Sequence, residues 1–195
     1  PTFGESFRQS LFTTVSIQTT TGFCTADFQQ WPFLAKGLLV LLMFIGGSSG
    51  STAGGIKIIR IWIAFKVLRH EIEHAFRPQV VRPVRVGSAA VAPEMRLGAL
   101  AYVLGIIILF VVGSFLLMFL EQFNPDSHCD YVSAATGCAA TLCNVGPGLA
   151  LVGPVENYAW FSGASKLVMC LLMALGRLEV FAIVVLLKRS FWRRN

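Results

Sequence analysis

One stretch of this chain limits its fold more than any other, because the segment 97–120 contains 24 residues and no charge. A helix rises about 1.5 Å per residue, so this length crosses a hydrocarbon core of roughly 30 Å with some tilt. Only 13% of the chain is charged, against roughly 25% in soluble domains. A buried core helix of a soluble protein is the alternative. We predict an all-α membrane protein.

The positive charges predict an orientation in the membrane. Eight Lys or Arg residues lie between Lys57 and Arg96, whereas residues 121–160 contain none. Positively charged loops stay in the cytoplasm, so 67–96 is expected inside and 121–160 outside. Nucleic-acid binding is the alternative for the basic linker. Cytoplasmic retention and lipid head groups explain it better between membrane segments.

A short apolar segment separates the two expected crossings 97–120 and 161–187. Tyr131–Leu142 is rich in Ala, Ser, Thr and Cys, and it must begin and end on the same side. Its length fits a re-entrant segment. The loop that follows, 143–148, contains Gly and Pro. This layout is typical of a pore helix with its filter.

The chain contains two copies of one unit. Ala35–Gly46 aligns with Ser165–Gly176 at an offset of 130, and Thr20–Cys24 aligns with Asn144–Gly148 at an offset of 124. Repeats in one orientation are typical of channels and transporters. Each unit is predicted to be a short helix, a glycine loop and a membrane helix. In chain order these elements are 5–18, 19–24 and 33–69, then 131–142, 143–148 and 161–189.

The repeat also predicts the domain organisation. Residues 1–69 form one pore repeat that lacks its first helix, 70–96 form a cytoplasmic basic linker, and 97–195 form a complete repeat. We therefore expect the chain to be a fragment of something longer. Two loops cannot surround an ion, so two further units are expected as well.

Both glycine loops have the composition of a cation filter. Asn144-Val145-Gly146-Pro147-Gly148 shares Val and both glycines with the Thr-Val-Gly-Tyr-Gly loop of K⁺ channels. Glycine permits the angles that turn successive carbonyls toward one axis, where they replace the hydration shell of K⁺. A tight turn is the alternative for a single loop. The hydroxyls of residues 19–21 are either additional ligands or helix caps. K⁺ against Na⁺ selectivity, and coupled against passive transport, stay open.

A glycine-rich segment, 46–55, interrupts the first membrane helix. Half of its ten residues are glycine, a composition that cannot hold a stable helix. We predict an intramembrane loop that acts as a gate. A phosphate-binding loop is the alternative, but Ile56-Lys57 stands where Lys-Ser/Thr is required and no strand precedes it. The predicted gate glycines are Gly46, Gly47, Gly50, Gly54 and Gly55.

Arg177 follows Gly176 in the middle of the second membrane helix. A guanidinium at this depth is costly and normally pairs with a carboxylate or backbone carbonyls. Glu179 projects from nearly the opposite helix face, so carbonyls of the glycine loop are the expected partners. We predict that Arg177 holds this loop closed, with a structural clamp between helices as the alternative. Lys36 and Lys166 are expected to reach the outer interface or pair with carbonyls near the filter.

An enzyme and an ion-coupled carrier are two other classes. The adjacent pair His128-Cys129 and the pair Cys138 and Cys143 lack the usual spacing of zinc ligands. A coupled carrier would use an intramembrane carboxylate, and Glu179 is the only candidate. We predict no catalytic residue, no transition metal and no organic cofactor.

Four motifs resemble those of the Trk/Ktr/HKT superfamily of K⁺ transporters, and most closely those of the bacterial Trk membrane subunits. The likeness covers essentially the whole chain, and the long glycine motif is the most specific part. The motifs are Thr-Thr-Gly-Phe at 20–23, Gly-Gly-Ser-Ser-Gly-Ser-Thr-Ala-Gly-Gly-Ile-Lys at 46–57, Asn-Val-Gly-Pro-Gly at 144–148 and Gly-Arg-Leu-Glu-Val at 176–180.

The resemblance implies K⁺ uptake through four helix–pore-loop–helix repeats around one pore, of which this chain looks like the third and fourth. It implies a gate at 46–55 and a latch at Arg177. It also implies a multi-pass protein of the bacterial inner membrane, a homodimer, and a cytosolic nucleotide-binding ring subunit that docks on 67–96. No nucleic acid is expected as a partner. The implied filter residues are Thr20, Thr21, Gly22, Asn144, Val145 and Gly146.

Overall fold

A computed structural model of the chain describes residues 2–77, 84–87, 89–125 and 127–178. The described residues are mainly helical, as predicted, and their only strands form a two-stranded antiparallel hairpin. The helices are α1 (Phe3–Gln18), α2 (Phe33–Ile45), α3 (Ile58–Phe76), α4 (Pro93–Glu121), α5 (Tyr131–Leu142) and α6 (Gly163–Arg177), and the strands are β1 (Arg85–Val86) and β2 (Ala89–Ala90).

The two short helices begin at side-chain caps. α5 has the predicted bounds, and the Asp130 carboxylate before it accepts the Ser133 N–H at 2.9 Å. α1 begins two residues earlier than predicted, because Thr2 and Glu5 form a reciprocal capping box. The Thr2 N–H donates to the Glu5 carboxylate at 2.9 Å. Each cap satisfies N–H groups that a helix start leaves without an internal partner.

The first predicted membrane helix is broken where the glycines predict it. α2 ends at Ile45 and α3 begins only at Ile58. The predicted end of this helix at Arg69 is wrong, because α3 continues to Phe76. No helix-breaking residue follows until Pro78. The last turns of α3 therefore occupy the beginning of the predicted linker 70–96.

α4 is the one described helix that is both long and apolar enough to cross a membrane by length and composition. Its 29 residues extend beyond the charge-free segment 97–120. Pro93 lies in its first turn, where a missing N–H costs nothing. α2 is apolar but shorter, with 13 residues.

α5 lies at the centre of the second unit and packs against α4, α6 and α2. Every residue from Ser133 to Leu142 is buried. Most of these side chains are small, which lets neighbouring backbones approach closely. Leu117 of α4 and Leu172 of α6 close the surrounding apolar core.

The first unit packs onto the second through its own loops. Ile17, Phe28 and Met43 are fully buried, and they share one apolar cluster with Cys143 and Val145 of the second glycine loop. The two loops therefore belong to one packed core.

The second predicted membrane helix is described over fewer residues than its predicted extent of 161–189. α6 begins at Gly163, capped by the Ser162 hydroxyl. Its described part ends at Arg177. Glu179 and the rest of the predicted helix lie outside the described residues.

Candidate functional site: two glycine loops above a third

The loops 19–24 and 143–148 share one backbone hydrogen-bond pattern. In each, a carbonyl near the end of the preceding helix accepts two N–H groups from the loop. The acceptor and both donors are related by the offset of 124 found in the sequence. The donor–acceptor pairs are Thr21–Ser16 at 2.9 Å and Gly22–Ser16 at 3.4 Å, then Val145–Ala140 at 2.8 Å and Gly146–Ala140 at 3.4 Å.

The same positions of both loops have left-handed backbone angles. Thr20 and Asn144 each have φ near +56°, and Gly22 and Gly146 have φ of +77° and +110°. Positive φ is uncommon for residues other than glycine. Its recurrence at matched positions means that Thr and Asn hold the same local conformation in the two units.

The two loops are in contact. A Cβ at Gly22 would overlap the carbonyl oxygen of Val145, so only glycine permits this approach. Beside the contact lies a cavity of about 600 Å³. Five of the six predicted filter residues line it, whereas Gly22 lies against Val145. The five are Thr20, Thr21, Asn144, Val145 and Gly146.

Three residues that line this cavity have carbonyl oxygens to which no described residue donates a hydrogen bond. Within the part of the chain that the structure describes, no N–H or O–H donates to the carbonyls of Thr20, Thr21 or Asn144. Backbone carbonyls removed from water are nearly always paired. Unpaired oxygens on a cavity can therefore bind a cation in place of its water.

The other three predicted carbonyls have close neighbours in the protein. The Val145 oxygen faces the Cα of Gly22. The Gly146 oxygen accepts the Tyr158 hydroxyl at 2.6 Å, and the Gly22 oxygen is 3.6 Å from the Cys24 thiol. The six predicted residues are thus brought together, but they do not present six free carbonyls.

The threonine hydroxyls of the first loop bond to protein atoms. The Thr19 hydroxyl donates to the Val15 carbonyl at 2.7 Å. The same hydroxyl is hydrogen-bonded to the Thr21 hydroxyl at 2.9 Å. Thr20 accepts the Gly54 N–H at 3.2 Å. Of the two interpretations left open by the sequence, these bonds favour a structural role for the hydroxyls.

The glycine loop 46–57 lies against both filter loops. Its base is closed by N–H bonds from Ile56 to Phe44, at 2.9 Å, and from Ile58 to Gly47, at 3.1 Å. A Cβ at Gly54 would overlap the Cys143 carbonyl. Residues 53–56 are therefore anchored beneath the filter loops.

The five predicted gate glycines fall into two groups. Gly46, Gly54 and Gly55 are buried against neighbouring backbone. Gly50 is exposed, and a Cβ at this position would meet nothing within 4 Å. Gly47 is intermediate in exposure between these two groups. Residues 48–50 and 52 are exposed, and Ser51 is half-buried.

The Arg177 side chain is exposed, and no bond from it to the glycine loop occurs within the described ranges. α6 instead meets the second filter loop through its neighbours. A Cβ at Gly176 would overlap the Leu142 carbonyl, and the Asn144 amide donates to the Met173 carbonyl at 3.1 Å. The latch role of Arg177 stays a prediction.

The two lysines that start the aligned helices bond in the same way. Lys36 Nζ donates to the Gln29 carbonyl at 3.2 Å, and Lys166 Nζ donates to the Ala159 carbonyl at 2.7 Å. Both acceptors lie seven residues upstream. Of the two predicted alternatives for these lysines, the bonds agree with pairing to backbone carbonyls.

Gln29 joins the two units, although nothing in the sequence predicts this role. Its side-chain amide donates to the Ala150 carbonyl, and its amide oxygen accepts the Ala150 N–H at 2.9 Å. We call this pair of bonds the Gln29–Ala150 clasp. It spans 121 residues of sequence, and no local pattern indicates it.

Glu121 is a second residue that no sequence pattern singles out. It is 4% exposed at the end of α4. Its carboxylate accepts the Ser162 N–H at 3.0 Å and the Ser165 hydroxyl at 2.5 Å. An anion at the start of a helix is favourable, so Glu121 ties α4 to the start of α6.

Tyr158 is a third residue of the site that no sequence pattern singles out. Its ring stacks on Phe161 with centroids 5.9 Å apart. Burial raises the pKa of its hydroxyl above the usual range, so the hydroxyl keeps its proton and can donate to Gly146.

The chain as a whole is similar in sequence to known proteins. The model of a family described as cation transport protein, TrkH, matches residues 1–193. The chain belongs to the TrkH family. It is 35% identical over 97% of its length to the Trk system potassium uptake protein TrkH of Vibrio parahaemolyticus, and 32% identical over 96% to the TrkH of Escherichia coli K12.

A solved structure agrees with the sequence relatives. The crystal structure of the potassium transporter TrkH from Vibrio parahaemolyticus matches 97% of this chain with a TM-score of 0.84. The chain spans about 37% of the length of the curated relatives it matches. These relatives are named as potassium uptake proteins, and the fold of this chain is that of a TrkH transporter.

Proposed function

We propose that this chain contributes two filter loops and a gate to a pore for K⁺ uptake. The observation that carries the proposal is the meeting of the two matched loops at Gly22 and Val145. They meet beside a cavity whose Thr20, Thr21 and Asn144 carbonyls have no donor in the described part of the chain. The names of the relatives, which are potassium uptake proteins, support K⁺ as the ion.

The preceding helices support a cation at this place. α1 and α5 end at Gln18 and Leu142, directly before the two loops. The C-terminal end of a helix carries roughly half a negative charge. Two such ends attract a cation, while no acidic side chain lies in either loop. The ion-binding residues are those of the predicted filter: Thr20, Thr21, Gly22, Asn144, Val145 and Gly146.

Two further repeats complete the ring of oxygens around the ion. Two loops provide ligands on one side of the cavity only. The relatives are about two and a half times as long as this chain, which spans about 37% of them. The exposed apolar side chains of α1, among them Phe3, Phe7 and Leu11, provide a surface on which another part of the pore packs.

The gate is the exposed half of the glycine loop. Residues 53–56 are held by Thr20 and Cys143 and form the fixed base. Residues 48–52 move to open or close the path below the filter. Arg177 acts as the latch of this loop in a closed state, through carbonyls of the moving half.

The remaining parts of the proposal follow from the family. The chain is part of a multi-pass protein of the bacterial inner membrane, surrounded by lipid, and it is not an enzyme. The protein is a homodimer, and a cytosolic nucleotide-binding ring subunit binds its basic segment 67–96. It uses no organic cofactor, no transition metal and no nucleic acid.

Growth of a bacterium that lacks its own K⁺ uptake tests the proposal. The full-length protein should restore growth at low external K⁺, and ⁸⁶Rb⁺ uptake should rise with growth. Replacement Gly146→Val should abolish both, because φ of +110° at this position excludes a branched side chain.

The matched control is Gly98→Ala, at a helical position where a Cβ meets nothing within 4 Å. This variant should support growth like the wild type. The proposal is wrong if the wild-type protein does not restore growth, or if Gly146→Val restores it equally well.

A further inference from the structure

The outer part of the second filter loop is held by one strong hydrogen bond. The Tyr158 hydroxyl donates to the Gly146 carbonyl oxygen at 2.6 Å, across 12 residues of sequence. This distance is at the short end of the range for O–H···O bonds. Tyr158 and Gly146 line the same cavity, so the bond lies at the candidate ion site.

The position of the Tyr158 hydroxyl is set by the contact of its ring with a buried side chain. The Tyr158 ring stacks on Phe161, which is 2% exposed. Two residues that follow Tyr158 are held as well. Lys166 binds the Ala159 carbonyl, and the buried Glu121 carboxylate binds the Ser162 N–H. The ring therefore presents its hydroxyl to Gly146 from a rigid support.

The first unit has no equivalent bond among its described residues. The matching carbonyl of Gly22 is 3.6 Å from the Cys24 thiol, and a thiol is only a weak donor. A carbonyl oxygen has two lone pairs. Tyr158 uses one lone pair of the Gly146 oxygen, and no other described residue donates to this oxygen.

We propose that Tyr158 is a positioning residue for ion selection, whose hydroxyl holds the Gly146 carbonyl at the distance that suits K⁺ rather than the smaller Na⁺. This inference rests on the proposed function. Without the hydroxyl, the Gly146 peptide is free to move toward a smaller ion. The loss should therefore appear in the ratio of K⁺ to Na⁺ transport and not in the amount of protein.

The experiment uses the full-length protein in liposomes, with K⁺ and Na⁺ uptake measured under the same imposed membrane potential. Tyr158→Phe removes only the hydroxyl and keeps the stacked ring. Because one hydrogen bond is lost, the ratio of K⁺ to Na⁺ uptake should fall about fivefold. Replacement of Tyr158 by 4-aminophenylalanine restores a donor and should return the ratio toward the wild-type value.

The matched control is Trp160→Phe in the same loop. It removes the indole bond to the Leu151 carbonyl, of 3.2 Å, and keeps a ring beside Phe161. Its ratio should equal that of the wild type. An unchanged ratio in Tyr158→Phe would overturn the inference, as would an equal fall in Trp160→Phe or a failure of the amino group to restore the ratio.

Two other results have a defined meaning. If Tyr158→Phe is missing from the membrane while Trp160→Phe is present, the hydroxyl serves folding and the inference is wrong. If the wild-type protein transports neither ion, the proposed function fails and the inference fails with it. If the wild-type protein prefers K⁺ and Tyr158→Phe has the same ratio of K⁺ to Na⁺ uptake, the inference about Tyr158 is wrong while the proposed function stands.

Discussion

The two units of this chain share their loops but differ in how their short helices are covered. α5 is buried from Ser133 to Leu142, whereas α1 buries only Thr13, Ser16 and Ile17. The hydrogen bonds of the two loops are nevertheless the same. The two loops therefore have the same conformation although the described residues cover α5 almost completely and α1 only in part.

A second difference concerns the aligned glycines of the membrane helices. Gly46 ends α2 with φ of +65°, and α3 begins only at Ile58. Gly176 lies inside α6, with its Cα against the Leu142 carbonyl. One residue type at matched positions thus permits a break in the first unit and a close helix contact in the second.

The largest effect is expected where the broken helix touches the second loop. Gly54→Ala adds a Cβ that overlaps the Cys143 carbonyl, and overpacking against backbone costs about 1–3 kcal/mol or more. We expect cation uptake to fall by about tenfold or more. ⁸⁶Rb⁺ uptake per amount of membrane-inserted protein measures it.

Gly50→Ala is the matched change in the exposed half of the same loop, where a Cβ meets nothing within 4 Å. Its uptake should stay near that of the wild type. Equal loss in the two variants would contradict the division of the loop into a fixed and a moving half.

The next effect concerns the link between α4 and α6, the two helices that pack against α5 in the second unit. Glu121→Gln removes the charge that caps α6, and hydrogen bonds to charged groups contribute about 1.5–3 kcal/mol. We expect a lower midpoint of thermal unfolding in detergent, with a loss of about 2 kcal/mol. Glu156→Gln, at an exposed position of the same outer segment, should leave the midpoint unchanged. A similar midpoint for both variants would mean that α6 does not depend on Glu121.

A smaller effect is expected for the bond between the units. Gln29→Ala removes both bonds of the Gln29–Ala150 clasp, with a cost of about 1–2 kcal/mol. The neighbouring Gln30→Ala removes only an exposed bond to Asp27 and should cost almost nothing. Thermal unfolding and limited proteolysis of the outer loops measure the difference. If Gln30→Ala were the more damaging change, the two units would not be joined in this way.

The smallest expected effect concerns the position where the units differ most in charge. Arg177 aligns with Gly47 of the first unit. If Arg177 is the latch, Arg177→Ala should raise K⁺ flux about two- to fivefold, because one charged contact is lost from the closed state. Arg8→Ala, on the first short helix, is the control and should not change the flux. Unchanged flux and ion affinity in Arg177→Ala would leave Arg177 without a role in gating.

Much of the local structure is predictable from the sequence. The bounds of α5, the break after Ile45 and the pairing of the two loops follow from small residues, glycines and the repeat. The end of α3 lies seven residues beyond the predicted one, because the change from apolar to charged residues predicts a boundary at Arg69. The helix continues past that change in composition and ends at Phe76, two residues before Pro78.

The parts of the site that are not predictable depend on residues far apart in the chain. Gln29 reaches Ala150, Glu121 reaches Ser162, and the Val145 carbonyl is met by Gly22. The free or occupied state of each filter carbonyl follows from such contacts. No spacing in the sequence distinguishes the Gly146 carbonyl, which accepts Tyr158, from that of Asn144, which has no donor among the described residues.

The sequence by itself determined the membrane class, the duplicated unit and the two glycine loops, because apolar length, repetition and glycine content act locally along the chain. The tertiary structure decided which filter carbonyls accept hydrogen bonds, which half of the glycine loop is anchored and how the units are joined. Those outcomes depend on hydrogen bonds and backbone contacts between distant segments, and such bonds exist only once the helices have packed.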